Sequence, residues 1–295
     1  MPEVSADSLD LFCLEDTVWI ACAETGLSVY DFPFDRYFAC RRPWQRPATI
    51  TAIGRFGVTT NYSQLYNELQ SVGVQLIHSP EQYRLASELT EWYPRIQELT
   101  PRSVWFSEPP SPDKVEELFD WPIFVKGSRQ TSRHKAELAI VHSAVEFERV
   151  AEMYRHNPIL HWQPFVCREY VRLRPVDGAT GDKVPPAFEF RTFWWRGECV
   201  GAGPYWAGFS SYKWTRAEEQ EALSLARKVA TRINVPFLVV DVAQTVAGKW
   251  IAIECNDGQE SGYAGVPPIA LWNNLIDAER KHQAKHYSTV QRPGT

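Results

Sequence analysis

Over the first third of the chain, short apolar runs alternate with stretches of helical periodicity. Val18–Ala23 and Ala48–Ile53 read as strands, and between them Cys40-Arg41-Arg42-Pro43-Trp44 reads as a bend. Leu65, Leu69 and Val72 recur at helical spacing within Ser63–Val72, and Gly73 supplies a stop. Val74–Ile77 is strand-like again. Ser79 is then an N-cap, Pro80 the first helical residue and Gln82 the capping-box partner of a helix reaching about Tyr93. This alternation predicts an α/β lobe on an open, largely parallel sheet.

The punctuated run Glu108-Pro109-Pro110-Ser111-Pro112 divides the chain into an N-terminal lobe over 1–110 and a second part over 111–295. Beyond it, a short helix (Asp113–Phe119) leads to an apolar strand, Pro122–Lys126, and a polar, basic loop follows from Gly127 to Lys135. Ser143 and Glu146 cap a helix whose apolar face is Val145, Phe147, Val150 and Met153. Ile159–Val166 is strand-like. Ala187–Trp195 and Glu198–Tyr205 form a hairpin around Arg196-Gly197, and Thr215 with Glu218 caps a long helix to about Ile233. Pro236–Ala243 and Lys249–Asn256 form a second hairpin around Ala247-Gly248, and Pro267-Pro268 opens a terminal helix to about His282. The second part is therefore α+β, with antiparallel sheets.

Charge and cysteine usage narrow the function classes. A formal net charge of -5 argues against coating nucleic acid or anionic membrane through overall charge. No segment approaches the ~20 apolar residues that span a bilayer, and the N-terminus lacks the basic start and apolar core of a signal peptide. Six scattered cysteines without a CxxC pair read as reduced thiols, the pattern of a cytoplasmic protein. The i, i+4 pair His282 and His286 lacks a third ligand type nearby and reads as two solvated helix residues. The 12 tryptophans suit aromatic-lined interiors or a substrate groove.

The second hairpin carries the most chemistry. Strand alternation puts Glu254 and Asn256 on one face and Ile251, Ile253 and Cys255 on the other. A two-residue Ala247-Gly248 loop places Asp241 directly opposite Glu254, where like charges are destabilising. The flanking residues, Phe237-Leu238-Val239-Val240 and Trp250-Ile251-Ala252-Ile253, are apolar. Opposed carboxylates in such surroundings call for a cation. Asp, Glu and an Asn carbonyl are hard oxygen ligands of the kind that suit Mg2+ on a nucleotide's phosphates. Lys126 and the loop cations Arg129, Arg133 and Lys135 suit a polyphosphate, although a basic loop alone is more often a solvated face. Arg191, mid-strand among aromatics, either pairs with an acid across the sheet or reaches an anionic ligand. The chain has no GxGxxG fingerprint, no Walker loop and no GxSxG.

In this order the elements resemble the ATP-grasp superfamily of carboxylate–amine ligases, from about Val74 to Trp272. Pro122–Lys126 looks like the strand ending in the nucleotide-phosphate lysine, followed by a mobile loop that here has only Gly127. LHWQPFV (Leu160–Val166) is similar to the adenine-binding strand and hinge. That puts Phe165 and Val166 at the base and makes Glu169 the ribose acid; alternatively Arg168-Glu169-Tyr170-Val171 is itself that strand, with Asp177 or Asp182 as the acid. EFRTFWWRGECV looks like the hairpin with the phosphate-binding arginine, Arg191, and VVDVAQTVAGKWIAIECNDG like the metal hairpin, with Asp241, Glu254 and Asn256 as ligands. Arg84 stands where the family's first lysine is expected, with Arg95 as the other candidate. An uncharacterised branch of the superfamily has such arginines.

The resemblance implies an ATP- and Mg2+-dependent enzyme. It would join a small-molecule or peptide carboxylate to an amine through an acyl phosphate, releasing ADP and phosphate. Lys126 would hold the α/β-phosphates, Lys135 or Arg133 would cover the γ-phosphate, and Arg191 would stabilise the transferring phosphoryl group. His134 is expected as a structural or phosphate contact, and Gln259, Glu260, Ser261 and Tyr263 as a place for substrate. A homodimer fits the superfamily, but no interface is legible in the sequence. The rival readings are an ATP-dependent phosphotransferase and a non-catalytic nucleotide- or peptide-binding module.

Overall fold

The computed structural model describes residues 32, 34–38, 49–131 and 134–290, with side chains as far as 284. The expected strand Val18–Ala23, the bend at residues 40–44, Arg133 and the side chain of His286 lie outside the described residues. The three described cysteines, Cys167, Cys199 and Cys255, are free.

β1 (Ile50–Ala52) and β2 (Val74–Leu76) pair in parallel. Parallel neighbours need a crossover, and α1 (Tyr62–Ser71) supplies it. Gly73, at φ 82°, ends that helix in the conformation glycine adopts without a Cβ clash. Ser79 caps the next helix and Gln82 reciprocates, as expected. The helix does not, however, continue to Tyr93. It divides into α2 (Pro80–Ser87) and α3 (Leu89–Ile96) at Glu88, whose backbone is extended. The cause is tertiary: Leu89 N donates to Ser128 O (2.9 Å) and Ser128 Oγ to Glu88 Oε2 (2.8 Å). The helix gives way to the loop that follows β4.

A four-stranded antiparallel sheet comes next, ordered β3-β6-β4-β5. Its strands are β3 (Ser103–Phe106), β4 (Ile123–Gly127), β5 (Ile140–Val141) and β6 (Phe165–Glu169). β3 precedes the proline run, so this sheet draws on residues from both sides of it. α4 (Pro112–Glu116) and α5 (Ala144–His156) cover its outer face. On α5, Phe147, Val150, Ala151 and Tyr154 are buried at the 3.6-residue period, while Val145 is 78% exposed, against expectation. β6 also begins later than expected. Asn157 Oδ1 accepts from Ile159 N and Leu160 N and winds the preceding residues into a turn.

The second antiparallel sheet is ordered β10-β9-β7-β8. It contains β7 (Glu189–Trp195), β8 (Glu198–Pro204), β9 (Phe237–Gln244) and β10 (Trp250–Asp257). Arg196 and Gly197, both at positive φ, make the expected tight turn. Alternation then divides the faces. Trp194, Leu238, Val240 and Val242 pack against Ala222, Ala226 and Val229 of α6 (Arg216–Ile233). Phe193, Trp195, Phe237 and Val239 pack against Leu271, Trp272 and Leu275 of α7 (Pro268–Val290). Further along this second face come Asp241, Arg191 and Glu189. Among the described residues no helix is long and apolar enough to cross a membrane.

Candidate active site

Strand register builds the site. Arg191 on β7 lies opposite Asp241 on β9, and Asp241 lies opposite Glu254 on β10. Lys126, at the end of β4 in the other sheet, reaches Glu254 with its ammonium. The result is a buried row of charges in the order Lys126, Glu254, Asp241, Arg191. The arginine grips Asp241 in a fork, Nε to Oδ1 at 2.9 Å and Nη2 to Oδ2 at 2.7 Å, and gives Nη1 to Gly262 O. Asn256 Nδ2 donates to Glu254 Oε2 at 3.3 Å.

The predicted pairing of Asp241 with Glu254 is present, but it arises differently. Thr245 and Lys249 already pair through Thr245 N and Lys249 O, so the turn spans three residues, Val246 to Gly248. The register slips by one residue between Ala252 and Glu254, leaving Ile253 as a β-bulge. The bulge also reassigns the faces. Ile251 and Ile253 line the same cavity as Glu254, whereas Cys255 turns with Ala252 into the core, correcting the simple alternation.

This cavity, about 200 Å³, lies between the two sheets. Lys126, Glu254, Asp241 and Glu189 form its polar end, and Phe124, Ile140, Val171, Leu173, Pro175 and Pro186 form much of its apolar wall. Glu169 and Tyr170 stand on the wall as well. Phe165 and Val166 do not line it; both are fully buried within the protein. Of the two hinge registers expected, the cavity lies along the one that includes Glu169, Tyr170 and Val171.

Burial sets the electrostatics. Glu254 is pushed up by burial, but the Lys126 ammonium outweighs this and holds its pKa below the usual value. At Asp241 burial dominates despite Arg191, and the pKa is raised. Glu189 is pushed up to about 8 by burial, with Asp241 adding to the effect; its Oε2 accepts from Trp206 Nε1 at 2.9 Å. His134 is pushed down to about 4, chiefly by burial, and is neutral at pH 7. Its Nε2 is joined by a 3.0 Å hydrogen bond to the Tyr205 hydroxyl, and the Tyr205 ring in turn lies 4.9 Å from the Arg191 guanidinium.

With this geometry in view, the comparisons with known proteins become specific. The model of an ATP-grasp domain family, the third of its clade, matches residues 80–275. The chain belongs to that family. No curated protein matches it. Solved structures share the fold of this ATP-grasp chain at low identity. D-alanine–D-alanine ligase from Bacillus anthracis, complexed with ATP, is 9% identical with a TM-score of 0.59, over 95% of this chain and 98% of that one. VanG D-Ala:D-Ser ligase from Enterococcus faecalis is 13% identical with a TM-score of 0.55, over 83% and 74%. A RimK domain ATP-grasp protein from Sphaerobacter thermophilus is 12% identical with a TM-score of 0.54, over 92% and 98%.

Within this ATP-grasp domain the other expected residues are scattered. Arg84 is exposed on α2 and Arg95 on α3, and neither lines the cavity. Lys135 is exposed, its backbone bridged to Lys183; His134 is the loop residue on the cavity wall. Gln259, Glu260 and Ser261 are not an open substrate surface. Gln259 Oε1 accepts from Gly54 N, Glu260 pairs with Arg129, and Ser261 Oγ donates to Asp257 O, so this segment binds the N-terminal lobe. Sequence reasoning missed Arg168, Thr100 and Tyr205. The one available signal for Arg168 was a cation in the otherwise apolar start of β6, Phe165-Val166-Cys167.

The donor set can be tested against a divalent cation. No cluster of three or more His, Cys, Asp or Glu suited to a metal occurs among the described residues. Two carboxylates and an amide oxygen are nonetheless a reasonable protein share for Mg2+, which commonly takes one or two carboxylates and fills its sphere with phosphate oxygens and water. Asp241, Glu254 and Asn256 fit that requirement, with Lys126 and Arg191 meanwhile supplying the positive charge.

Proposed function

We propose that this ATP-grasp domain is an ATP- and Mg2+-dependent ligase that joins a carboxylate to an amine. The carboxylate attacks the γ-phosphate, ADP leaves, and the amine displaces phosphate from the acyl phosphate to give an amide. The observation that carries this reading is the buried row Lys126–Glu254–Asp241–Arg191 at the polar end of an otherwise apolar cleft. An apolar slot suits a purine, and opposed carboxylates with flanking cations suit its phosphates. Asp241, Glu254 and Asn256 would hold Mg2+, which neutralises phosphate charge when bound. Lys126 contributes a point charge to the phosphates, and Arg191 a planar fork to the transferring phosphoryl group. Glu169, at the exposed end of β6 beside the apolar wall, is the candidate ribose acid. The fold shared with D-alanine–D-alanine ligase is consistent with amide formation and leaves the identities of the carboxylate and amine open.

A thermal-shift titration with Mg2+-ATP tests the reading, wild type beside Glu254→Gln. Ligand at ~100 times its dissociation constant adds about 2.7 kcal/mol of apparent stability. The expected result is a Mg2+-dependent shift in wild type that weakens in the variant. A folded wild type with no shift in millimolar nucleotide would refute the reading. ADP release with an isolated amide product separates a ligase from a phosphotransferase.

A further inference from the structure

Ala252 and Ile253 flank the register slip in β10, the edge strand of its sheet. An edge carbonyl has no strand partner on its open side, and one buried there must find another donor. Both carbonyls are served from the opposite sheet region. Thr100 Oγ1 donates to Ala252 O at 2.8 Å, and Arg168 Nη1 donates to Ile253 O at 2.7 Å. Arg168 Nη2 then donates to Thr100 Oγ1, closing a three-part clamp. Arg168 is 4% exposed and touches no carboxylate among the described residues; burial brings its pKa down to about 10. Its Nε has no hydrogen-bond partner. An arginine held so unfavourably, with two of its nitrogens committed to one backbone irregularity, has a function beyond filling space.

From these contacts we infer that Arg168, assisted by Thr100, is the positioning residue that fixes the bulge and thereby sets the Glu254 carboxylate opposite Asp241. Arg168 acts through backbone: its guanidinium holds the peptide on the N-terminal side of Glu254, and the bulge turns that side chain into the cavity. This inference rests on the proposed ligase reading only for its functional consequence. The conformational consequence stands independently of nucleotide.

The test uses Arg168→Met, Arg168→Lys and Thr100→Val in the full chain, with Val150→Ala as a control in the separate core beneath α5. Hydrogen exchange of the amides of residues 252–256 is measured without nucleotide, and the Mg2+ dependence of ATP binding is measured alongside. The clamp predicts faster exchange confined to these amides in Arg168→Met and, less strongly, in Thr100→Val, but not in a Val150→Ala protein of similar overall stability. Arg168→Lys keeps the charge but cannot bridge Thr100 and Ile253, so it should behave like Arg168→Met. Loss of the clamp should weaken Mg2+ affinity about tenfold, the usual minimum for residues that orient a metal ligand, while metal-free nucleotide binding is retained. Unchanged local exchange in Arg168→Met, or wild-type behaviour in Arg168→Lys, overturns the inference. If wild type binds no nucleotide, the ligase reading fails, and the exchange measurements still decide the role of Arg168. Should Arg168→Met not fold, Thr100→Val, which removes one hydroxyl, decides it by the same exchange criterion.

Discussion

Asp241 and Arg191 illustrate how a residue's meaning changes with its neighbour across a sheet. Each is a buried charge, and each is tolerable only because register puts them in fork geometry. Arg191→Met should cost about 3–5 kcal/mol in urea unfolding, because it leaves Asp241 buried and unpaired. Asp241→Asn in the same background should recover part of that loss. Glu189 makes a pH prediction. Its pKa is about 8 in the folded chain against an ordinary 4.5, so the folded state favours the protonated form. The associated stability is fully present below pH 4.5 and is lost as pH rises to about 8. Glu189→Gln can still accept from Trp206 Nε1 and cannot ionise. It should match wild type near pH 4.5 and exceed it in unfolding free energy above pH 8. Equal pH dependence in the two proteins would refute this account of Glu189. The acids of the metal hairpin could be recognised in sequence because an acid between apolar runs is conspicuous. Arg168 could not be assigned a partner, because the carbonyl it serves lies 85 positions away.

At the scale of elements, local signals and packing divide the responsibility. Caps were legible: Ser79 with Gln82 and Thr215 with Glu218 form reciprocal boxes that involve only residues three apart. The break between α2 and α3 was not, since its cause is Ser128, forty residues downstream. The bulge in β10 was equally hidden. A three-residue turn shifts register by one, Ile253 shifts it back, and the two offsets together reproduce the pairing a simpler hairpin gives. Close approach between elements supplies another prediction. A Cβ on Gly203 of β8 would lie 2.5 Å from the Gly265 carbonyl carbon, a backbone atom that cannot rotate aside. Gly203→Ala should therefore destabilise the chain by about 1–3 kcal/mol, read as a lower urea midpoint with unchanged slope.

Across the whole molecule, the N-terminal lobe is fastened to the rest through polar contacts. Arg129 donates to Thr59 O, to the Tyr83 hydroxyl and to Glu260, joining three distant stretches of chain. Glu260, pushed up to about 7 by burial, is kept from rising further by that arginine. Arg129→Met should cost about 3–5 kcal/mol at pH 8 and less at pH 5, where Glu260 takes up a proton and no uncompensated charge remains. Chemical denaturation at the two pH values checks the difference, and an equal loss at both would count against it. His78 and Asp257, both fully buried at 3.2 Å, and Gln259 on Gly54 N make further links between the same regions.

By itself, the sequence determined the alternation of elements, their caps, the antiparallel hairpins and the presence of two acids opposed in an apolar hairpin. These depend on spacings of two to four residues, or on a turn joining adjacent strands, and such short-range relations are written directly in the order of residues. Only the tertiary structure decided which cations face those acids, which hinge register lies along the cavity, and that Lys135 and Arg84 stand away from it. It also decided that Gln259, Glu260 and Ser261 bind a neighbouring lobe. Each of these turns on a contact between residues far apart in the chain, where partner and direction are set by how the sheets pack and by which buried polar groups must then be satisfied.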